Sequence, residues 1–360
     1  MSDNIPVTMD ACVLTSPGKF EVKRVSMPHF SDDEVLCKIH SVAICGSDPE
    51  VIHGELAGYW PPNYPFIIGH EWAGEVIAVG KNVTSFKVGD RVAGEAHNGC
   101  GSCENCMRGR YNICINYGKN EMGHRHYGFT AQGAYAQYNA YYPKALTLMP
   151  DNVSFDEGAM CDPAGVSMHG AERMGITPGG TVVVIGPGPI GLTAMRAARA
   201  KGAAKIIVVG RPGVRIEAAK KLGADHIVDG TTPNAIETVR SLTNDIGADE
   251  AFECSGAIGT ITQAAYMLRR GGSICLLGAP PEEASEPIPT RYITYNEISI
   301  FGSKANPNTS KIVLKLMSTG QMPVKDLISH TFPLSKFAEA LDTFENRKDN
   351  AVKVVIHPNP

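Results

Sequence analysis

A glycine-rich turn between an apolar run and an alanine-rich stretch restricts the fold of this chain more than any other feature. The residues of the turn are Gly186, Pro187, Gly188, Pro189, Ile190 and Gly191. The run Thr181–Ile185 before it predicts a strand, and the stretch Ile190–Lys201 predicts a helix. In that position, glycines let the backbone approach a pyrophosphate at the positive N-terminus of a helix, so the turn indicates dinucleotide binding. A plain Gly/Pro turn is the alternative.

Strands and helices continue to alternate after this turn. The predicted strands are Lys205–Val209, Glu250–Glu253 and Ser273–Leu277, and the predicted helices are Val214–Leu222 and Ile258–Leu268. Such alternation implies βαβ units and a parallel sheet. We therefore predict an α/β protein with a doubly wound domain that begins at about Gly158.

The first 150 residues are instead rich in short β-type runs. Examples are Glu34–His40, Glu75–Val79 and Ala134–Tyr141, which are separated by Gly, Pro, Asn and Asp. A long loop rich in Cys, Gly and Asn lies between about Gly94 and Gly133, and loops of that length are usually functional. Because this region lacks a closing edge strand, we expect the end of the chain, with the strand-like Val352–Ile356, to return to it.

Composition argues against several classes of function. The 360 residues include 33 Lys and Arg against 37 Asp and Glu, a net charge of −4, whereas binding to a phosphate backbone normally needs a basic face. We therefore expect no nucleic-acid partner. No apolar stretch approaches the roughly 20 residues that span a bilayer, and the N-terminus lacks the pattern of a secretory signal. We expect no membrane association and a cytoplasmic location.

Four of the ten cysteines lie close together in the long loop. Cys100, Cys103, Cys106 and Cys114 follow the spacing C-x2-C-x2-C-x7-C. Ten cysteines in an untargeted chain of this length indicate thiolates or metal ligands rather than a disulfide framework. Four thiolates can surround one tetrahedral zinc and leave no open position, which predicts a structural zinc site. An iron–sulfur cluster and unbound thiols are the alternatives.

Residues that could form a second, open metal site are scattered along the chain. They are Cys45, His70, Glu71 and Asp162. Each has an ordinary interpretation alone, since a lone Cys is usually a small core residue, a lone His a structural one, and Asp before Pro the start of a turn. Together they supply a thiolate, an imidazole and carboxylates, a set suited to zinc with one position left for water or substrate.

The residues after the second strand of the doubly wound domain bear on the choice of cofactor. Dinucleotide-binding folds normally place an acidic residue there to bind the ribose 2′-hydroxyl, but this chain has Gly210, Arg211 and Pro212. Without the carboxylate a 2′-phosphate is not repelled, Arg211 could pair with it, and Arg215 is a second candidate. The sequence favours NADP over NAD, unless Arg211 is simply a solvated surface arginine.

Three of these motifs resemble those of a known family. The segment Gly69-His70-Glu71-x2-Gly74-x5-Gly80-x2-Val83 resembles the signature of zinc-containing medium-chain alcohol dehydrogenases. Cys45-Gly46-Ser47-Asp48 resembles their first-ligand segment, and the four-cysteine loop resembles their structural zinc lobe. The resemblance covers essentially the whole chain. It implies a GroES-like β-rich catalytic domain at 1–157 and 301–360, a Rossmann domain at 158–300, catalysis in the cleft between them, and homodimers or homotetramers.

The resemblance also implies a role for each candidate residue. Cys45 and His70 resemble catalytic zinc ligands, and Glu71 resembles the carboxylate that ligates the metal or lies just behind it. Ser47 matches the hydroxyl that relays the substrate proton. Glu50 stands where many relatives carry His, which puts the usual outer part of that relay in doubt.

Asp162 bears on the class of substrate. It lies seven residues before His169-Gly170, at the position of Cys in many alcohol dehydrogenases and of Glu in polyol dehydrogenases, and Cys161 fits this position less well. Asp at this position resembles secondary-alcohol dehydrogenases. Carboxylates in place of a second thiolate make the site harder and more polar, as in relatives that oxidise polyols and sugars. We therefore expect a secondary alcohol that bears further hydroxyls.

The function that the resemblance implies is hydride transfer between such an alcohol and NADP or NAD, with one catalytic and one structural zinc per chain. A threonine-type or acidic-alcohol dehydrogenase is an alternative, because a small basic cluster that otherwise forms a solvated face could favour an acidic substrate. The cluster consists of Lys119, His124, Arg125 and His126. A catalytically inactive zinc-lobe binding module is the alternative from another class, and the acidic charge balance opposes it.

Two further expectations rest on sequence position or on the predicted strands. Tyr59, Trp60 and Phe129 are candidates for the substrate pocket because they lie near the predicted ligands along the chain. The predicted strands Ser273–Leu277 and Ile298–Phe301 are candidate edges for contact between subunits.

Overall fold

The chain folds into two units, one built mainly on antiparallel strands and the other on alternating strands and helices. The computed structural model describes residues 5–56, 58–281 and 283–359. The first unit contains the chain up to Asp162, Ser310–Thr319 and the chain from Ile328 onward, and the second contains Pro163–Thr309 and Gly320–Leu327. These limits lie a few residues beyond the boundaries expected after 157 and 300. The reason for the second difference is that a strand of the second unit, Ser299–Gly302, runs across residue 300.

Strands and helices alternate along the chain after about residue 180. The strands are β1 (Thr8–Ser16), β2 (Lys19–Ser26), β3 (Val35–Ala43), β4 (Glu71–Val79), β5 (Arg91–Gly94), β6 (His97–Asn98), β7 (Arg125–His126), β8 (Tyr138–Tyr141), β9 (Leu146–Leu148), β10 (Thr181–Ile185), β11 (Lys205–Gly210), β12 (His226–Asp229), β13 (Ala248–Glu253), β14 (Leu268–Leu276), β15 (Ser299–Gly302), β16 (Ile328–Pro333) and β17 (Lys353–His357). The helices are α1 (Ser47–His53), α2 (Glu104–Met107), α3 (Phe155–Ala159), α4 (Cys161–Met174), α5 (Pro189–Ala200), α6 (Val214–Lys221), α7 (Ala235–Leu242), α8 (Thr260–Met267), α9 (Thr290–Tyr295), α10 (Ser310–Ser318) and α11 (Phe337–Glu345). Among the described residues, no helix combines the length and the apolar character needed to cross a membrane.

A seven-stranded sheet organises the first unit. Its order is β16-β17-β3-β4-β5-β9, and β8 also pairs with β3. The C-terminal strand β17 lies antiparallel to β3, with Val355 opposite Ala43. This pairing confirms that the end of the chain returns to the first unit. Large aromatic side chains fill the core, where the ring of Trp72 stacks on that of Tyr141 with 4.2 Å between centroids.

A six-stranded parallel sheet forms the second unit. Its order is β12-β11-β10-β13-β14-β15. The central strand β10 is an almost continuous apolar run with four of its five residues buried, as expected where helices cover both faces of a parallel sheet. Relative to the chain, the order is 3-2-1-4-5-6, which is that of a Rossmann fold. The doubly wound prediction is confirmed.

One expectation about this sheet is wrong. β14 has a neighbour on each side, so the predicted contact edge Ser273–Leu277 lies inside the sheet, whereas β15 lies at its edge.

Sequence inspection also missed β12 and α7. β12 has four residues, of which only Val228 is buried, so it lacks the apolar run that marks the central strands.

A charged cluster holds the end of the C-terminal strand. His357 Nε2 lies 2.8 Å from Asp156 Oδ1, and Ser41 Oγ donates to the same oxygen at 2.5 Å. The hydrogen bond to Asp156 raises the pKa of His357, although partial burial opposes the shift. Burial raises the pKa of Asp156, but the hydrogen bonds from His357 and Ser41 outweigh it and lower that pKa. Because both side chains are about one third exposed, we expect the pair to stabilise the unit by only about 0.5–1 kcal/mol.

His357→Gln is expected to lower the free energy of unfolding by about 0.5–1 kcal/mol at pH 6 and by much less at pH 9. A histidine whose folded pKa is raised stabilises fully below its unfolded pKa of about 6.5, and this contribution is lost as pH rises through the folded pKa. Urea unfolding at both pH values measures the difference. His330→Gln is the control, since His330 lies on the neighbouring β16 and contacts Ser329. An equal loss at both pH values would contradict the assignment.

Candidate metal and cofactor sites

Three side chains with metal-binding atoms meet at the ends of two adjacent strands. β3 and β4 are antiparallel and Ala43 pairs with Glu71, so the residues after β3 lie beside those that begin β4. Cys45 follows β3, and His70 directly precedes Glu71. One possible ligand atom from each of these three residues lies within 4.8 Å of the other two. The structure therefore brings together three of the four predicted ligands, which we call the Cys45 group.

The fourth predicted ligand, Asp162, is not a member of the Cys45 group. It lies in the first turn of α4, where it is 5% exposed. Burial raises the pKa of Asp162 to about 7, while the nearby His70 acts in the opposite direction. Its Oδ1 has no hydrogen-bond partner within the described part of the chain. Asp162 is thus a buried carboxyl group within electrostatic range of the Cys45 group and outside its closest set of ligands.

Sequence analysis did not assign Asp48, a buried carboxylate behind His70. Its Oδ1 lies 3.6 Å from His70 Nδ1. Its Oδ2 accepts hydrogen bonds from the backbone N of Cys45 at 2.9 Å and from Tyr135 Oη at 2.6 Å. A carboxylate in this position commonly orients a metal-binding histidine. Its place in Cys45-Gly46-Ser47-Asp48 was the available signal.

Sequence analysis also missed Lys353, which forms an ion pair with Glu71. The side chains of Lys353 and Glu71 are 1% and 3% exposed. Lys353 is the first residue of β17, and the next residue accepts a hydrogen bond at 2.9 Å from the backbone N of Ile44. Lys353 reaches Glu71 because β17 pairs with β3, and no local motif in the sequence indicates this contact.

The Cys45 group fits a zinc ion. Burial is the main cause that raises the pKa of Cys45, the negative charge of Glu71 adds to it, and Lys353 acts in the opposite direction. Without further positive charge, the thiol is therefore neutral. A bound dication reverses that balance and stabilises the thiolate. Thiolate, imidazole and carboxylate are also the ligands that zinc prefers. Three protein ligands leave one position for water or substrate, which is the arrangement of catalytic zinc sites.

Ser47, the predicted proton relay, lies beside the Cys45 group. It begins α1. Its side chain is hydrogen-bonded to Cys45, a contact that lowers the pKa of Cys45 against the larger effect of burial. Glu50 is an exposed residue of the same helix. The partial burial of its carboxyl group is the main cause that raises its pKa, and repulsion from Glu55 is the second.

The sulfur atoms of the loop cysteines form a second group. All four lie within 4.8 Å of one another. Cys100 Sγ lies 3.9 Å from Cys106 Sγ, and Cys103 Sγ lies 3.8 Å from Cys114 Sγ. Four thiolates at the usual zinc–sulfur distance of about 2.3 Å form a tetrahedron with edges of about 3.8 Å. The spacing therefore fits a single tetrahedral ion that is fully enclosed by protein ligands.

The glycine-rich turn has the backbone geometry that a nucleotide site requires. Gly186 follows β10 with φ of 92°, and a Cβ there would lie 2.9 Å from the backbone N of Ser255. A Cβ on Gly191 would lie 2.0 Å from Gly186 O, so α5 can pack this closely only through glycine. Gly188 is the N-cap of α5, which begins at Pro189. The turn thus presents a helix N-terminus at the carboxyl end of β10, where the strand order reverses.

The two candidate arginines of the cofactor site differ in position. Arg215 borders the turn, because its Nη1 lies 3.6 Å from the place where a Cβ on Gly188 would be. Arg211 directly follows β11 and is exposed. Gly210 also lies close to the turn, where a Cβ would be 2.5 Å from Pro187 Cδ. Arg211 and Arg215 therefore both lie on the part of the second unit that follows the carboxyl ends of β10 and β11.

The predicted basic cluster does not form one solvated face. His124 and His126 are buried, whereas Lys119 is exposed. The guanidinium of Arg125 lies over the ring of Tyr142, 5.4 Å from its centroid. The interpretation of these four residues as a common surface patch is wrong, because β6 and β7 pair and place His126 opposite His97 in the interior.

Two of the three pocket candidates lie on the side of His70. The ring of Phe129 lies 4.8 Å from that of His70 and 4.9 Å from that of Trp60, measured between centroids. Phe129 is buried and Trp60 is half-buried. Tyr59 is 61% exposed. Phe129 and Trp60 therefore form an aromatic wall next to the Cys45 group.

The fold and these groups together define a class of protein. A Rossmann domain with a glycine-rich phosphate-binding turn accompanies a β-rich unit, which holds one open metal group and one closed four-cysteine group. This combination defines a metal-dependent, nucleotide-linked oxidoreductase.

Comparison with known proteins agrees with this class. Residues 31–151 match the alcohol dehydrogenase GroES-like domain, and residues 189–319 match the zinc-binding dehydrogenase domain. The chain is 36% identical over 363 residues to sorbitol dehydrogenase of Bacillus subtilis, with all of both chains covered. It is 31% identical to D-arabitol-phosphate dehydrogenase of Enterococcus avium, with 98% of each chain covered. A crystal structure of a zinc-binding dehydrogenase from Sinorhizobium meliloti bound to NADP superposes with a TM-score of 0.87 at 30% identity, covering 98% of this chain and 99% of that one. The chain belongs to the zinc-containing medium-chain alcohol dehydrogenase family.

Asp48→Asn is expected to weaken zinc binding by the Cys45 group about 10- to 100-fold, because the carboxylate that orients His70 is lost. Zinc in the four-cysteine group should remain. Metal analysis after stepwise competition with a chelator measures both. Tyr135→Phe is the matched control, since it removes one hydrogen bond to Asp48 and keeps the carboxylate. Unchanged zinc retention in Asp48→Asn, or parallel loss from both groups, would contradict the role of Asp48.

Proposed function

We propose that this chain is a zinc-dependent dehydrogenase that oxidises a secondary alcohol or polyol to a ketone and reduces NADP or NAD. The observation that carries the proposal is the Cys45 group, whose three possible ligand atoms lie within 4.8 Å of one another. The nucleotide-binding turn before α5 supplies the second requirement of the reaction. The 36% identity to a sorbitol dehydrogenase supports a polyol as the substrate.

In the proposed reaction, each residue of the site has a separate role. Cys45, His70 and Glu71 hold the metal ion, which when bound makes a coordinated hydroxyl more acidic. Ser47 Oγ accepts the hydroxyl proton and passes it outward. Asp48 keeps the His70 ring in its orientation. The turn at Gly186 would hold the cofactor pyrophosphate, and the cofactor would supply the acceptor for the hydride.

Asp162 has a supporting part in this proposal. It is a buried carboxyl outside the Cys45 group, and its pKa of about 7, raised by burial, allows it to be neutral or charged near neutral pH. We propose that its unpartnered Oδ1 would serve as a hydrogen-bonding partner for a water or hydroxyl held at the Cys45 group. Buried polar groups of this kind favour a substrate that carries hydroxyls, because an apolar substrate would leave them unpaired.

We further infer that the four-cysteine group holds a second, structural zinc. The sulfur–sulfur distances of 3.8 and 3.9 Å support a single tetrahedral ion there. All ten cysteines of the chain are free of disulfides. Unpaired cysteines and thiolate-bound zinc are typical of a reducing compartment, and we propose the cytoplasm.

The cofactor that we propose is NADP in preference to NAD. β11 ends without an acidic residue, and Arg211 follows it at an exposed position. Arg215 lies over the turn next to Gly188. Two guanidinium groups near the adenosine side suit a 2′-phosphate. The NADP-bound dehydrogenase from Sinorhizobium meliloti, 30% identical, is in keeping with this preference.

We also propose that the protein forms a homodimer or homotetramer. β15 is an edge strand of the second unit, and Tyr295 just before it is 75% exposed. An edge strand offers backbone hydrogen-bonding groups to another strand. Pairing of β15 with the same strand of a second copy would continue the sheet across a two-fold axis.

The purified protein is expected to contain two zinc ions per chain and to reduce NADP or NAD with polyols. Absorbance at 340 nm, followed with a panel of polyols, simple secondary alcohols and hydroxy acids, measures the activity. Cys45→Ala should remove one zinc and lower the rate by at least about 1000-fold, because the metal supplies most of the charge stabilisation. Cys12→Ala, which changes a buried cysteine of β1, is the control. Unchanged activity in Cys45→Ala would contradict the proposal.

Arg211→Gln is expected to reduce kcat/KM for NADP about tenfold and to leave kcat/KM for NAD nearly unchanged, because only NADP carries the 2′-phosphate. The ratio of the two values, measured with one saturating alcohol, isolates this effect. Arg270→Gln, at an exposed position of the same unit, serves as the control. Equal losses with both cofactors would show that Arg211 does not bind the 2′-phosphate.

A further inference from the structure

Lys353 is the one lysine or arginine that is buried within the described residues. Its ammonium group contacts the carboxylate of Glu71, and both side chains are almost completely enclosed. A buried ammonium is strongly unfavourable unless a negative partner compensates it. The pairing of β17 with β3 and of β3 with β4 creates this contact, so the fold holds Lys353 at the Cys45 group.

The Cys45 group needs a positive charge in addition to a metal ion. With a zinc ion bound, the Cys45 thiolate, Glu71 and Asp48 would supply three negative charges against the two of the ion, and Asp162 would add a fourth when it is charged. Lys353 supplies the third positive charge from within the protein.

The ion pair also limits what Glu71 can do. Lys353 Nζ contacts Glu71 Oε2, so one carboxylate oxygen is already engaged. An oxygen that is paired with an ammonium donates less charge to a metal than an unpaired one. With Lys353 removed, the metal would become the nearest cation for Glu71, and the carboxylate would compete with water or substrate for the open position.

We propose that Lys353 is a positioning residue that restrains Glu71 and thereby keeps the fourth metal position available to the substrate. The inference rests on the proposed function, since it assumes that Cys45, His70 and Glu71 bind the catalytic metal. It adds a specific role for a residue of the last strand, which contributes no ligand to the metal. The ammonium acts through Glu71, so its effect depends on the carboxylate.

A spectroscopic double-mutant cycle tests this dependence. The holoenzyme is prepared with cobalt in the Cys45 group and zinc in the four-cysteine group, as wild type, Lys353→Met, Glu71→Gln and the double variant. Lys353→Met is expected to lose visible absorbance, because an additional ligand raises the coordination number of cobalt. Its KM for the alcohol should rise about tenfold, in the range found when a residue behind a metal ligand is changed. In the Glu71→Gln background the same change should leave the spectrum unaltered.

Two control variants test whether the spectral change comes from loss of the positive charge at Lys353 or from a general effect of replacing a lysine. Lys353→Arg keeps the positive charge and should restore most of the wild-type spectrum. Lys336→Met removes an exposed lysine that pairs with Glu339 at 3.2 Å and should change nothing. If Lys353→Met fails to fold, the comparison of Lys353→Arg with wild type still applies, because neither protein leaves a buried charge unpaired.

The outcomes distinguish this inference from the proposed function. A wild-type spectrum in Lys353→Met, or an equal change with and without the Glu71 carboxylate, overturns the role of Lys353 and leaves the dehydrogenase proposal intact. If the fallback comparison is needed, loss of the visible absorbance in Lys353→Arg, which keeps the positive charge, overturns the inference in the same way. A wild-type protein that binds no cobalt through Cys45 overturns both.

Discussion

The antiparallel pairing of β17 with β3 is the interaction on which the site depends most. β3 leads into Cys45, the neighbouring strand β4 begins at Glu71, and β17 begins at Lys353. Three neighbouring strands therefore bring a thiol, a carboxylate and an ammonium group together. Without β17, the sheet of the first unit would have an open edge beside the metal group, and Glu71 would lose its buried counter-ion.

Burial and charge oppose each other in the Cys45 group. Removal from water raises the pKa of Cys45, Asp48 and Asp162, and the nearby Lys353 and His70 act in the opposite direction. A bound metal ion would offset this effect of burial, so its binding would also contribute to the stability of the first unit.

The parts of the site that sequence analysis predicted are those whose geometry is local. The glycine-rich turn, the four-cysteine spacing and the pair His70-Glu71 each occupy a short segment, and backbone conformation or ligand reach limits what such segments can form. Asp48 had a local signal in its closeness to Cys45, but its contact with His70 requires β3 and β4 to pair. Lys353 had no such signal.

By itself, the sequence determined the fold class, the order of the two units and most of the candidate ligands that meet in the Cys45 group and the four-cysteine group. Hydrophobic periodicity, glycine positions and cysteine spacing are properties of a few consecutive residues, and they can be recognised without a structure. Only the tertiary structure decided that Asp162 lies outside the Cys45 group, that His124 and His126 are buried, and that Lys353 pairs with Glu71. Burial and distance between side chains depend on which strands pair, and strands far apart in the chain become neighbours only when the sheets assemble.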